Sequence, residues 1–127
     1  MESGSTVCIV DDDESVRESL TGLLRSFGFD ARSFESAEDF LAMRPLKADC
    51  VILDVAMPGM KGTALQEHLL LESKPLPVVF ITARTEEALR TRLLERGAIA
   101  CLFKPFSSET LLLAVQEATR AKCEEKR

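Results

Sequence analysis

The sequence lacks a run of lysines and arginines, a long apolar stretch, closely spaced cysteines and internal repeats. Each shortage removes a class of function. With no basic stripe to grip a phosphate backbone, and 16 basic residues against 21 acidic ones for a net charge of -5, direct nucleic-acid binding is not expected. A membrane-spanning helix needs about 18 consecutive apolar residues, whereas the first apolar run, VCIV at 7–10, is short and follows a short polar segment. The reading is a soluble, unexported, cytoplasmic chain that engages no membrane. Cys8, Cys50, Cys101 and Cys123 lie far apart, three of them inside apolar runs and no two at zinc-site or redox spacing, as reduced and mostly buried thiols would. The 127 residues, 46% of them hydrophobic, suffice for one domain with a real core and leave no room for a second.

What is present is a regular alternation. VCIV (7–10), CVIL (50–53) and PVVFI (77–81) are unbroken apolar runs, each followed at once by polar residues, and they read as strands buried on both faces of a parallel sheet. DARSF (30–34) suits a more exposed strand and ACLF (100–103) a fifth. Helical spacing fills the gaps. Val16, Leu20, Leu23, Leu24 and Phe27 form one stripe ended by Gly28. A second helix opens at Ser36 and stops near Pro45, a third runs from Gly62 to about Leu71, and a fourth from Thr85 to Arg96, closed by Gly97. The fifth starts at Ser107 or Ser108 and puts Leu111, Ala114, Val115 and Ala118 on one face. Strand and helix alternating in this way predict a doubly wound α/β sandwich. Residues 1–5 are expected to be a flexible start, 6–120 the domain, and 121–127 a polar tail or the start of a linker.

Ligands of open α/β sheets bind beyond the carboxyl ends of the strands. The residues that follow the strands here are Asp11 and Asp12, Asp54, Thr82 and Lys104. Clustered carboxylate oxygens suit a hard cation, and Mg²⁺ takes one or two carboxylates, keeps waters and binds phosphate oxygens. Such an ion relieves the mutual repulsion of the acids. One carboxylate is then able to act as nucleophile on a phosphoryl group, while the metal, Thr82 and Lys104 offset charge on the equatorial oxygens.

Four fragments, IVDDD, LDVAMPGMKG, FITA and LFKPF, in this order and at these spacings, resemble the receiver domain of two-component response regulators over about residues 6–120. The stretch ESVRESLTGLLRSFGFDARSFESAEDFL resembles the FixJ-type branch, whose members usually carry a DNA-binding domain after the receiver. The resemblance implies a flavodoxin-like (β/α)5 fold with strand order 2-1-3-4-5. It makes Asp54 the phosphoacceptor for a sensor histidine kinase, and Asp11 and Asp12 the acidic pair that positions Mg²⁺, joined by Asp54 and the backbone carbonyl of Ala56. Thr82 supplies a hydroxyl and Lys104 an ammonium to the phosphoryl group, and the Lys104-Pro105 bond is expected to be cis. The implied activity is that of a switch that assists its own phosphorylation and dephosphorylation, not of an enzyme with a separate substrate. Its readout is the face formed by the fourth helix, fifth strand and fifth helix, acting on a downstream effector, a C-terminal DNA-binding domain outside these residues, or a phosphorylation-dependent homodimer.

One position departs from that pattern. Three residues before the lysine the family usually has Tyr or Phe, which swings inward as the Thr moves, and here stands Cys101. A thiol fills less space than a ring, so the coupling is expected to be weaker or differently routed. Ala56 and Arg84 occupy positions where the family tunes phosphoryl lifetime. For the output face the pattern offers Leu113 with Cys101, Glu86, Glu87, Arg90 and Arg92. Other residues have plainer readings. Asp13 most simply caps the first helix, Pro58 and Gly59 suit the centre of a type II turn, and the lone His68 reads as surface. The rival function is a Mg²⁺-dependent phosphatase of haloacid dehalogenase type with Asp11 as nucleophile and Asp13 as acid/base. It requires a later acidic pair that only Glu124 and Glu125 in the polar tail supply, and it leaves Asp54 without a role. A phosphorylation-independent receiver-like binding module is the third reading, with Cys101 as its one foothold.

Overall fold

Where apolar runs alternate with helical stripes, the chain alternates strand and helix. The computed structural model describes residues 5–43, 47–57, 59–72 and 75–125. Its elements are β1 (Thr6–Val10), α1 (Glu14–Ser26), β2 (Asp30–Phe34), α2 (Ala37–Ala42), β3 (Cys50–Asp54), α3 (Gly62–Leu70), β4 (Val78–Thr82), α4 (Glu87–Glu95), β5 (Ala100–Phe103) and α5 (Ser108–Glu125). The strands are all parallel, in the order β2-β1-β3-β4-β5. This is the doubly wound, flavodoxin-like sheet that the alternation and the resemblance imply.

Successive side chains of a strand point to opposite faces, so an unbroken apolar run can only be buried twice. In β1, Val7 and Ile9 pack with Leu20 and Leu24 of α1 and Leu111 and Val115 of α5, while Cys8 and Val10 join the opposite layer with Phe40, Leu65 and Leu93. The same alternation runs through β3 and β4: Ile52, Val79 and Ile81 face α1 and α5, and Val51, Leu53, Val78 and Phe80 face α2, α3 and α4. A fully buried leucine such as Leu24 or Leu65 contributes roughly 2–3 kcal/mol through removal from water. Among the described residues, no helix is long and apolar enough to cross a membrane.

The helix starts show which side chains carry the signal. Asp13 caps α1 by accepting from the N–H groups of Ser15 and Val16 at 2.8 and 3.3 Å, and Ser36 caps α2 through the Asp39 N–H at 3.0 Å. Ser107 does the same for α5, accepting from Thr110 N–H at 3.0 Å. The sequence places the start of α4 at Thr85, but the helix begins at Glu87; no side chain caps it, and Arg84 instead pairs with Glu86 outside the helix. At the other end α5 continues to Glu125, through most of the segment read as tail or linker start. Ser5 is already engaged, its carbonyl accepting from Asp30 N–H at 2.9 Å. The Lys104-Pro105 peptide bond is cis, as expected. Pro45, Pro58 and the side chains of Cys123, Glu124 and Glu125 lie outside the described residues.

Candidate functional site

The parallel sheet delivers its strand ends to one edge, and there the polar residues gather. Asp11 follows β1 directly and is fully buried. Its N–H donates to the Phe34 carbonyl at 3.2 Å, its Oδ1 accepts from Asp13 N–H at 2.9 Å, and its Oδ2 accepts from Lys104 Nζ at 3.2 Å. Asp54 is the last residue of β3, 7% exposed, with its Oδ2 at 3.6 Å from Lys104 Nζ and its Oδ1 accepting from Ala56 N–H at 3.3 Å. Asp12, on the loop after β1, is exposed.

Asp11, Asp12 and Asp54 each present a carboxylate oxygen, and the three oxygens lie within 4.8 Å of one another. Among the described residues, Lys104 is the one ion-paired cation that faces two of them. Three carboxylates minus one ammonium leave a formal charge of two negatives, which a divalent cation would balance. Only oxygen donors are present, as a hard ion requires. The repulsion has a visible cost. Burial pushes the Asp54 carboxyl up to about 6, and the Asp11 charge adds to that push, followed in smaller measure by Asp12; Lys104 and the Ala56 N–H pull the other way without cancelling it.

Thr82 ends β4 and is 1% exposed. Its Oγ1 accepts from Arg84 N–H at 3.0 Å, which leaves the hydroxyl proton to donate elsewhere. Its carbonyl accepts from Lys104 N–H at 2.7 Å, so β4 and β5 hand over the hydroxyl and the ammonium side by side. All the residues expected at the site from β1, β3, β4 and β5 are therefore together at one sheet edge.

Other residues stand elsewhere. The Asp13 carboxylate caps α1 and is not one of the three clustered carboxylates, an arrangement that does not favour the phosphatase reading. Cys101 is 1% exposed and packs in the layer with Leu89 and Leu93 of α4, so the surface patch that included it is corrected: the thiol lies beneath α4, and burial raises its pKa. What α4 and β5 show outward at that point is the Arg90 guanidinium, 5.0 Å over the Phe103 ring, with Glu87 at 3.6 Å from Arg90. Leu113 is 67% exposed on the outer face of α5. His68 is exposed near the end of α3.

Three supports escaped the sequence. Gly62 opens α3 so close to β3 that a Cβ there would stand 2.4 Å from the Asp54 carbonyl oxygen; only glycine allows this approach. Glu38 of α2 accepts from Met60 N–H at 3.0 Å and so ties down the loop after the Asp54 strand, against Gly59 at φ +74°. Arg17 of α1 donates to the Asp11 carbonyl at 2.7 Å. A glycine at a strand-to-helix junction is a readable signal for the first; the other two depend on contacts that spacing alone does not reveal.

Comparison with known proteins agrees with this geometry. The family model for the response regulator receiver domain matches residues 7–116. Among curated proteins, the transcriptional regulatory protein TdiR of Thauera aromatica is 42% identical over 117 residues, covering 91% of this chain and 52% of its own length. Transcriptional regulatory protein FixJ of Bradyrhizobium diazoefficiens is 33% identical over 121 residues, covering 94% and 59%. The chain thus spans about half the length of the curated relatives it matches. Among solved structures, response regulator StyR superposes with a TM-score of 0.89 at 43% identity, covering 98% of this chain and 63% of that one. A response regulator receiver protein from Burkholderia phymatum gives 0.79 at 39%, covering 91% and 94%. Four carboxyl-terminal strand ends that bring an acidic triad, a hydroxyl and an ammonium together, on a sheet of this order, belong to a chain of the response regulator receiver family.

Proposed function

We propose that Asp54 is the phosphoacceptor of this receiver and Mg²⁺ its metal. The observation that carries the reading is Asp54 itself: a buried carboxylate within 4.8 Å of two others and 3.6 Å from one ammonium. Asp11, Asp12, an oxygen of Asp54 and the Ala56 carbonyl are the ligands this chain offers. Mg²⁺, when bound, supplies positive charge to carboxylate and phosphoryl oxygens alike. An Asp54 oxygen attacks phosphorus of a sensor kinase's phosphohistidine; the P–O bond forms, the P–N bond breaks, and its electron pair stays on the imidazole. Lys104 neutralises charge on the transferred group, and Thr82, whose Oγ1 already accepts one hydrogen bond, donates its proton to a phosphoryl oxygen. Water attack on the acyl phosphate, helped by the same groups, resets the switch.

The donor has an approach. Beside Lys104, an open groove of about 640 Å³ runs between α1 and the β5–α5 loop, lined by Val16, Ser19, Leu20, Leu23 and Phe106. It suits an apolar helix of a kinase. On the far side, the surface of α4, β5 and α5 carries output to an effector or a following DNA-binding domain, or pairs two phosphorylated copies in a cytoplasmic setting.

Intact-mass analysis after incubation with acetyl phosphate, with and without Mg²⁺, tests it. One phosphoryl group is gained only with Mg²⁺. Steady turnover of phosphomonoesters without a labelled protein would instead support a phosphatase, and Mg²⁺ binding with no label a binding module.

A further inference from the structure

Asp11 is held at every polar atom. Its N–H, Oδ1 and Oδ2 are bound to β2, the Asp13 N–H and Lys104, and its carbonyl accepts from Arg17 at 2.7 Å. Asp12 is the opposite case: exposed, with no hydrogen bond to its carboxylate among the described residues, yet counted in the acidic triad. The structure holds instead the backbone from which it departs. The carbonyl of Asp11 and the N–H of Asp12 belong to one planar peptide unit, so holding the carbonyl holds the Asp12 N–Cα bond and the point from which its side chain leaves the chain.

Arg17 does this from the first turns of α1. The helix begins where Asp13 accepts from Ser15 and Val16 and its carbonyl accepts from Arg17 N–H at 3.0 Å, and the half-buried Arg17 side chain reaches back over that turn to Asp11. The loop between β1 and α1 is thus closed from both sides. Resting on the phosphoacceptor reading, we infer that Arg17 is a positioning residue that orients the Asp11–Asp12 peptide so that both carboxylates face Asp54 across a shared divalent cation.

The same helix supplies the control. Arg25, at the far end of α1, donates to the Ala31 carbonyl at 2.9 Å, a bond of the same kind directed away from the site. Mg²⁺ is titrated calorimetrically into the full chain and into Arg17→Ala, Arg17→Lys and Arg25→Ala, and the initial rate of labelling is followed against acetyl phosphate concentration. Residues that orient metal ligands are worth about 10-fold to 100-fold in affinity. Arg17→Ala is expected to weaken Mg²⁺ binding about 10-fold, Arg17→Lys to recover part of it through its ammonium, which donates but lacks the planar fork of a guanidinium, and Arg25→Ala to bind as the parent does. Equal loss in Arg17→Ala and Arg25→Ala would make Arg17 a general stabiliser and overturn the inference. So would unchanged Mg²⁺ affinity with a raised half-saturating acetyl phosphate concentration, which would place Arg17 on the donor. A parent chain that binds no Mg²⁺ would overturn the phosphoacceptor reading itself.

Discussion

Asp49 and Asp54 bracket one strand, β3, and have opposite fates. Asp49, just before the strand, accepts from Thr6 N–H at 2.9 Å while its own N–H donates back to the Thr6 carbonyl at 2.8 Å. It is spent on joining β3 to β1. Asp54, at the other end, is buried against two like charges, and its strongest attraction, Lys104, is shared with Asp11. Each carboxylate accepts from a backbone N–H, and what sets Asp54 apart is its burial beside two like charges. A parallel sheet makes that division directional, because its carboxyl edge meets loops that need not close on each other.

The largest contrast is in labelling. Asp54→Asn is expected to abolish phosphoryl incorporation, whereas Asp49→Ala keeps it and loses about 1 kcal/mol of stability in chemical denaturation, the worth of one backbone hydrogen bond. A labelled Asp54→Asn chain would break the distinction. Next, Lys104→Ala is expected to slow labelling on the order of 100-fold, as removal of a preorganised charge does. It also raises the Asp54 pKa further, readable by carboxyl-carbon NMR titration, since Lys104 lowers it now.

Close packing at the reactive end gives a smaller effect. Gly62→Ala is expected to cost about 1–3 kcal/mol because the new methyl meets the Asp54 carbonyl. Gly22→Ala in α1, where a Cβ meets nothing within 4 Å, is expected to gain roughly 0.5–1 kcal/mol. Denaturation midpoints of the two should move in opposite directions.

The pH dependence is the finest test. Asp54 has a folded pKa of about 6 against 3.8 ordinarily, so between those values the folded state holds the extra proton and stability falls as pH rises. In EDTA, Asp54→Asn is therefore expected to melt above the parent at pH 7 and to lose that advantage near pH 4. Mg²⁺ should stabilise the parent at pH 7 by binding the folded state. An Asn variant no more stable than the parent at pH 7 would mean that Asp54 is not strained by its neighbours.

Much of this was legible in the residues. The unbroken runs in β1, β3 and β4 disclosed two-sided burial, and Asp13, Ser36 and Ser107 announced their helices by their own side chains. The positions of Asp11, Asp12, Asp54, Thr82 and Lys104 followed from strand ends alone. The start of α4 did not, because no cap marks it and only Leu89 and Leu93 of that helix are buried. Cys101 lies in an apolar run and reads as buried, but its grouping with Leu113 in an output patch does not hold: strand alternation gives the face of β5, whereas α4 covering that face depends on packing. Arg17 to Asp11 and Glu38 to Met60 are contacts made by long side chains across a turn or between elements, and no spacing rule encodes them.

The most direct measurement is to react the protein with acetyl phosphate and Mg²⁺, trap the acyl phosphate by borohydride reduction, and locate the modified residue by peptide mass mapping. The expected result is a single reduced residue at Asp54. Modification at Asp11 instead would contradict the assignment of nucleophile and restore the phosphatase chemistry.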